Sequence, residues 1–503
     1  MLNKLTITYV DNIKCIIKGL YEGDIELLYK EFSIFIPSAR FMPQYKMGLF
    51  DGYIRYFQKT GKTYINLLPM MLQKIDMSRY SSVEEICLSE FTHDVSLGDD
   101  VDKNFLSHLN WYSGHRLEGQ PIELGDHQIR AINHLLKNHR SVLCSSTSSG
   151  KTLICGALCH KVKSFGKTVI VVPSKDLCKQ TANELTLFGL DVGIVGMGLR
   201  EFEHNVIVCT WQTINSIEKT KIKDSDEKKL SYDELCQLKK DVVCLIFDEC
   251  HQATGNHIKG VMESTFKSVP IRWGLTGTVP KEKADAYCLL TAIGATLSDR
   301  IEAKELQDKG FLSQCQVNCI QLEDKNVFMD YESEVAYLYT DDKRLEFISN
   351  LISEIVKKKN NTLILVGRIE TGKILEKIMT NNGINAIFLH GSTKSKKRFE
   401  EYESIKSENN KCLICTAQIA STGLNIPRLF NVVLLDIGKS FTRCIQSIGR
   451  GLRKAKDKDF VSIYDISSST KYSKKHLKER IKYYIEAQYP YTVYKINKNA
   501  WNK

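Results

Sequence analysis

Two kinds of hydrophobic spacing alternate along most of this chain. Strand-length apolar runs stand at Val169-Ile170-Val171-Val172, Val206-Ile207-Val208-Cys209 and Cys244-Leu245-Ile246-Phe247, with helix-spaced stretches between them. Unbroken apolar runs rich in β-branched residues predict strands buried on both faces. Residues from about 120 to 310 therefore read as a parallel sheet covered by helices. The alternation restarts near residue 313, with apolar runs at 362–366, 386–389, 412–415 and 431–435. Ahead of both units, residues 1 to about 83 alternate apolar and polar in Leu5-Thr6-Ile7-Thr8-Tyr9-Val10 and carry a turn signal at Asp51-Gly52. That pattern predicts a β-rich segment with one or two helices. Residues 84–103 hold seven acids and one Lys and read as a linker or exposed helix. A charged insert at 218–240 reads as a helical excursion on the surface. The expected domains are 1–110, 111–310 and 311–503: a small α+β domain, then two tandem α/β units.

Composition changes this picture little, and charge changes it more. The chain is 43% hydrophobic and 26% charged, which is ordinary for a globular protein. No apolar run reaches about 18 residues, and the first residues lack a signal-peptide pattern, so a cytoplasmic protein with no membrane role is expected. Sixteen cysteines raise the question of metal or disulfides. Most sit inside apolar elements, and Cys412 and Cys415 have no second pair at zinc-site spacing, so reduced, buried thiols are expected. The net charge is +11. Residues 1–110 hold 12 Lys/Arg against 14 Asp/Glu, whereas residues 439–503 hold 16 against 5. The basic tail fits a polyanionic partner, although a charge run also serves as a solvated face.

The chemistry lies in three strings. Ser145-Ser146-Thr147-Ser148-Ser149-Gly150-Lys151-Thr152 follows a strand-like stretch and opens a helical one. Small residues there let backbone N–H groups approach phosphate oxygens. Lys151 would meet the β/γ charge and the Thr152 hydroxyl Mg²⁺. A Ser-rich turn gives a similar string, so it does not decide alone. Asp248-Glu249-Cys250-His251 ends an apolar strand with two carboxylates. Asp248 suits Mg²⁺ and Glu249 an attacking water, although an isolated acidic pair also occurs as a solvated strand end. The third string is Gln446-Ser447-Ile448-Gly449-Arg450-Gly451-Leu452-Arg453. On a helix Arg450 and Arg453 share one face, placed to neutralise transition-state charge. Because this pair comes from the later α/β unit, ATP is expected to bind between two domains and draw them together.

Together these strings resemble the superfamily 2 (DEAD/DEAH-like) helicases, with motifs in the family's order over residues 124–454. The resemblance implies two RecA-like parallel-sheet domains and an ATP hydrolase, with ATP and Mg²⁺ as cofactors, coupled to strand separation. It makes Gln128, in Leu124-Gly125-Asp126-His127-Gln128, the adenine contact. It places Thr147, Ser148, Ser149, Gly150, Lys151, Thr152, His251, Gly423 and Asn425 at the nucleotide, with Thr152 and Asp248 on the metal. Strand-tracking motifs resemble Pro173 to Gln180 and Thr210-Trp211-Gln212-Thr213. Gly274-Leu275-Thr276-Gly277-Thr278 resembles the motif coupling hydrolysis to DNA. Val366-Gly367-Arg368, His390-Gly391 and Thr416 through Pro427 match the remainder, making Thr210, Arg368 and Thr416 candidate strand contacts. Ser148 stands where the family commonly has Gly, and Asn425 where it usually has Asp.

Further strings (Asp248 through Gly255, the stretch from Leu109 into His115, and Gly48 through Arg55) resemble phage helicases that remodel recombination intermediates and stalled forks. That resemblance implies host-cell cytoplasm. In the N-terminal segment Phe41, Tyr45, Phe50, Tyr53, Tyr56 and Phe57 interleave with Arg40, Lys46 and Arg55. Most of these aromatics are expected in a core, and Lys46 and Arg55 are the better candidates for DNA. In the tail, Lys474, Lys478 and Lys482 fall one helical turn apart and would form a basic stripe. The expected partner is branched, duplex or single-stranded DNA, engaged by a monomer. RNA, or a role as motor subunit of a restriction system, stands as the alternative.

Overall fold

A computed structural model describes residues 2–93, 95–113, 115, 117–215, 232–251, 260–280, 282–357, 360–416, 426, 428–438, 448–449 and 451–497. The chain divides into two units, Met1–Ser145 with Lys151–Arg300, and Ser146–Gly150 with Ile301–Lys503.

Among the described residues the first unit carries a four-stranded sheet, an eight-stranded sheet and a two-stranded ribbon of Ser33–Phe35 with Tyr53–Arg55. Its N-terminal sheet has the order Lys62–Tyr64, Lys14–Lys18, Asn3–Asp11, Tyr80–Glu90. The last pair is parallel and the others antiparallel. Inward residues Leu5, Ile7, Cys15 and Ile17 pack with Tyr56, Phe57 and Met71 into one core. The helix Lys283–Ala292 closes this core through Ala284, Tyr287 and Leu290, and Asn66 Nδ2 donates to the Leu290 carbonyl at 2.9 Å. Tyr56 and Phe57 are thus core residues, as expected, while Phe41 is 81% exposed.

The acidic stretch departs from its reading as a linker or helix. Its first seven residues, 84–90, belong to the edge strand Tyr80–Glu90, in register beside Asn3–Asp11. Backbone pairing with Asn3–Asp11 holds this strand although every residue after Tyr80 is exposed, and Glu84 pairs with Lys4 at 3.0 Å. Charges on an exposed edge discourage further strand pairing.

The larger sheet of this unit has eight strands in the order Leu199–Arg200, Val192–Gly196, Val206–Thr210, Lys167–Val172, Val242–Asp248, Ile271–Thr276, Arg140–Cys144, Ala295–Thr296. All neighbours are parallel except the first pair. Val169, Ile170, Val171 and Val172 are fully buried, the burial that the apolar run predicted. Within the charged insert, Tyr232–Lys239 is a helix anchored by buried Leu238; residues 216–231 lie outside the described residues.

The second unit holds a seven-stranded, all-parallel sheet ordered Ala386–Leu389, Cys412–Thr416, Thr362–Val366, Asn431–Leu435, Phe460–Ser468, Gln314–Glu323, Tyr491–Asn497. Two buried ion pairs lie at its core: Arg344 to Asp436 at 2.7 Å, and a bidentate Arg480–Asp465 pair at 2.8 and 2.7 Å that also takes the Tyr484 hydroxyl. Described cysteines are free thiols; Cys412 and Cys415 are buried on one strand, and burial raises both thiols. Among the described residues no helix is long and apolar enough to cross a membrane.

Candidate active site

The phosphate-loop sequence occupies the turn between the strand Arg140–Cys144 and the helix Lys151–Val162. Ser145 N donates to the Thr276 carbonyl at 2.8 Å, fixing the loop's entry to the neighbouring strand. Ser148 (φ 69°) and Gly150 (φ 84°) are left-handed. Alternating handedness of this kind turns successive N–H groups toward one point, which suits an anion. Lys151 Nζ folds back to the Ser145 carbonyl at 3.1 Å, and Thr152 follows, half-buried, in the helix's first turn.

Residues Ser146–Gly150 belong to the second unit, and there the loop meets the arginine segment. Ser148 Oγ donates to the Gly449 carbonyl at 2.9 Å and accepts from Arg453 Nε at 2.9 Å. Glycine is required at 449, because a Cβ there would lie 2.6 Å from the Thr147 Cβ. Arg450, Gly423 and Asn425 lie outside the described residues.

The acidic string caps the central strand Val242–Asp248. Asp248 is pushed up to about 7, first by burial and then by the Glu249 charge, with Lys151 and His251 opposing. Glu249 adopts φ 50° and its N–H donates to Asp248 Oδ1 at 3.0 Å. His251 Nδ1 lies 2.9 Å from Thr276 Oγ1 and 3.3 Å from Glu249 Oε2. Thr276 gives its hydroxyl proton to the Thr278 carbonyl at 2.8 Å. It must therefore accept from His251, which assigns the imidazole proton to Nδ1. Cys250 packs so close to the next strand that a Cβ on Gly274 would meet its Sγ at 2.8 Å.

Other candidates are placed as follows. Gln128 is buried in the helix Asp126–Lys137, and its carboxamide oxygen accepts from Gly125 N at 2.9 Å, bracing the helix start. Trp273 Nε1 donates to the Leu135 carbonyl at 3.1 Å and ties that helix to the sheet. Ser174 caps the helix Lys175–Leu187. The Thr210 hydroxyl is buried, 3.0 Å from Thr213 Oγ1. Arg368 is exposed at the start of the helix Ile369–Asn381, and Thr416 ends its strand.

Of the two N-terminal cations, Lys46 is exposed. Arg55 is engaged by Asp51 and the Tyr29 hydroxyl, both at close range, which raises its affinity for its proton. Lys474, Lys478 and Lys482 do form one exposed stripe, on the helix Lys471–Glu486. Arg480 of the same helix is buried against Asp465 rather than joining that stripe.

One residue escaped the sequence reading. Lys458, buried, donates to the Gly451 carbonyl at close range and to the Arg453 carbonyl at 2.7 Å. Its proton affinity falls to about 7, chiefly through burial, then through Arg453, with Asp457 opposing. In sequence it is one more lysine in Lys454-Ala455-Lys456-Asp457-Lys458. Nothing there distinguishes it from a solvated run.

The chain is similar to known proteins in sequence and in fold. Residues 121–281 match the family described as type III restriction enzyme, res subunit, and residues 343–455 match the helicase conserved C-terminal domain. The ATP-dependent DNA helicase uvsW of Enterobacteria phage T4 is 25% identical over 501 residues, covering 93% of this chain and 94% of its own. The ATP-dependent RNA helicase DBP8 of Scheffersomyces stipitis is 24% identical, covering 67% of this chain and 74% of its own. In fold, the chain is similar to S. cerevisiae Dbp5 bound to RNA and ADP BeF3. The TM-score is 0.54 at 16% identity, over 76% of this chain and 92% of that one.

Proposed function

Because the chain belongs to the superfamily 2 helicases, we propose that it is an ATP-driven DNA helicase or translocase. It acts on branched or duplex DNA, migrating junctions, regressing forks, unwinding or annealing, in recombination, repair and replication restart. The observation that carries this reading is the span of one likeness. The phage DNA helicase aligns over 93% of the chain, more than the segments matched by the two motor families.

The donor set fits a magnesium nucleotide. Lys151 offers an amine, Thr152 a hydroxyl, and Asp248 a half-buried carboxylate of raised proton affinity that feels the Lys151 charge. Bound Mg²⁺ supplies Lewis-acid stabilisation of phosphate oxygens. Thr152 and Asp248 would hold that ion. Lys151, now on the Ser145 carbonyl, would take the β/γ charge, and the loop N–H groups would cradle the phosphates. Glu249 orients the attacking water, with His251 holding its carboxylate from one side. Arg453, with Arg450, neutralises charge on the departing phosphoryl group. Gln128 reads the adenine. Arg368, Thr416, Lys46 and the lysine stripe are the proposed strand contacts; Thr210, whose hydroxyl is buried against Thr213, and Arg55, held by Asp51, are weaker candidates.

The test is steady-state ATPase with single-stranded DNA, duplex, four-way junction and RNA, with Lys151→Ala as control. Stimulation by junctions above the other polymers supports the reading. Stimulation by RNA alone replaces it with RNA remodelling, and turnover in Lys151→Ala refutes the site.

A further inference from the structure

We propose that the loop 325–330 of the second unit is an apolar wedge that opens base pairs at a DNA branch, with the lysine face of the neighbouring helix holding the phosphates. The inference rests on the DNA-motor reading above.

Val327 is 95% exposed and Met329 99% exposed, the two most exposed large hydrophobic side chains among the described residues. Ordinary loops carry apolar residues singly, and usually half-covered. This loop is braced from below. Phe328, between the two, is half-buried and meets Tyr337 in a tilted ring contact, centroids 5.1 Å apart. The Tyr337 hydroxyl donates to Asp324, which also accepts from Asn326 N at 3.0 Å. Ser469 Oγ accepts from Asp324 N at 2.8 Å and donates to its carbonyl at 3.0 Å. Asp330 closes the loop by capping the helix Tyr331–Thr340, accepting from Ser333 N at 2.7 Å. An out-in-out pattern held at both ends presents Val327 and Met329 as a rigid tip.

The tip is tied to the basic helix. Glu334, fully buried, accepts from Thr470 Oγ1 at 2.8 Å, Tyr472 N at 3.0 Å and Ser473 N at 2.7 Å, at the start of the helix Lys471–Glu486. Tyr331 meets Tyr472 and His476 of that helix, ring centroids 5.2 and 6.0 Å away. Lys471, Lys474, Lys475, Lys478 and Lys482 are exposed along it. The helix carries two acids, of which Glu479 is paired with Lys482. A stiff apolar tip beside phosphate-binding cations is the chemistry by which proteins unstack a base step: the wedge replaces stacking while the cations fix the backbone. The occupant is therefore DNA with an openable base pair, rather than an apolar protein face.

The experiment uses the full chain and a forked duplex carrying 2-aminopurine at the fork. Native protein should raise 2-aminopurine fluorescence on binding and separate the strands with ATP. The Val327→Ser/Met329→Ser variant, altered only at exposed positions, should keep DNA-stimulated ATPase within about twofold. It should lose the fluorescence rise, and strand separation should slow by about tenfold or more. Lys474→Gln/Lys478→Gln/Lys482→Gln should instead weaken fork binding and flatten its salt dependence. Stimulated ATPase in native protein without a fluorescence rise, or a wedge variant that behaves as native, overturns the wedge alone. Native ATPase indifferent to DNA overturns the motor reading and the wedge with it. Self-association of native protein that the wedge variant loses, measured by sedimentation, assigns the tip to a second copy and also overturns the proposal.

Discussion

Lys458 Nζ lies 2.7 Å from the carbonyl oxygen of Arg453, so a buried amine holds the backbone of the arginine segment. Burial and the Arg453 charge lower the Lys458 pKa from 10.5 to about 7. The folded state therefore binds this proton more weakly than the unfolded chain. Between about pH 7 and 10.5 the unfolded state carries the extra proton, so this group makes stability rise with pH across that window, by about 1.4 kcal/mol per unit. Below pH 7 both states are protonated and the dependence ends. Lys458→Met should remove this slope. Urea denaturation at pH 7, 8 and 9 checks it, through the difference in slope between native and variant.

Arg453 itself sits with its Nε on the Ser148 hydroxyl at 2.9 Å, within hydrogen-bonding range of the phosphate loop. Arg453→Ala should lower kcat by about 10³-fold or more, with much less change in KM for ATP. Ser148→Ala keeps the loop's backbone but removes the hydroxyl. It should take one hydrogen bond from Arg453 and alter turnover by under about tenfold. Paired kcat and KM values for the two variants check this order of effects.

How far the sequence foretold this arrangement depends on the range of each interaction. The apolar runs at 169–172 and 242–247 foretold buried parallel strands, because continuous burial leaves a local mark. Gly150-Lys151-Thr152 and Asp248-Glu249 were legible because strand-to-helix and strand-to-loop contexts frame them. The acidic stretch misled, since the edge strand Tyr80–Glu90 buries no face after Tyr80 and is held by long-range pairing with Asn3–Asp11, which leaves no local pattern. Arg480 and Lys458 were hidden for another reason. Each is one cation in a basic tail, and only the fold brings Asp465 to the first and two carbonyls to the second. Arg55 was obscured in the opposite sense: Asp51 stands four residues before it, but only the fold brings Tyr29, from the helix Glu22–Glu31, to its other side.

The His251–Thr276 hydrogen bond of 2.9 Å joins the acidic string to the motif expected to couple hydrolysis to DNA. Thr276→Val keeps the side chain's shape and removes the acceptor that fixes the imidazole proton. Losing a buried hydrogen bond costs about 1–3 kcal/mol when a partner is left unsatisfied. ATPase should therefore persist, within about tenfold, while base pairs opened per ATP fall. Parallel measurement of phosphate release and strand separation checks this. Equal falls in both rates would place Thr276 in hydrolysis rather than in coupling.

The helix Lys471–Glu486 separates its roles by face. Inward, Arg480 makes two bonds to Asp465 at 2.8 and 2.7 Å, and both side chains are buried. Arg480→Met leaves that carboxylate without its guanidinium, which should destabilise the protein by about 3–5 kcal/mol. Outward, Lys474, Lys478 and Lys482 are solvent-exposed, and removing each should change stability by no more than about 0.5 kcal/mol. Their loss should appear in DNA binding instead. Each phosphate contact removed should reduce the slope of log K against log salt by about 0.9. Denaturant midpoints and binding isotherms at several salt concentrations separate the two faces. A lysine variant that unfolds early, or an Arg480→Met variant of native stability, would reverse the assignment of the faces.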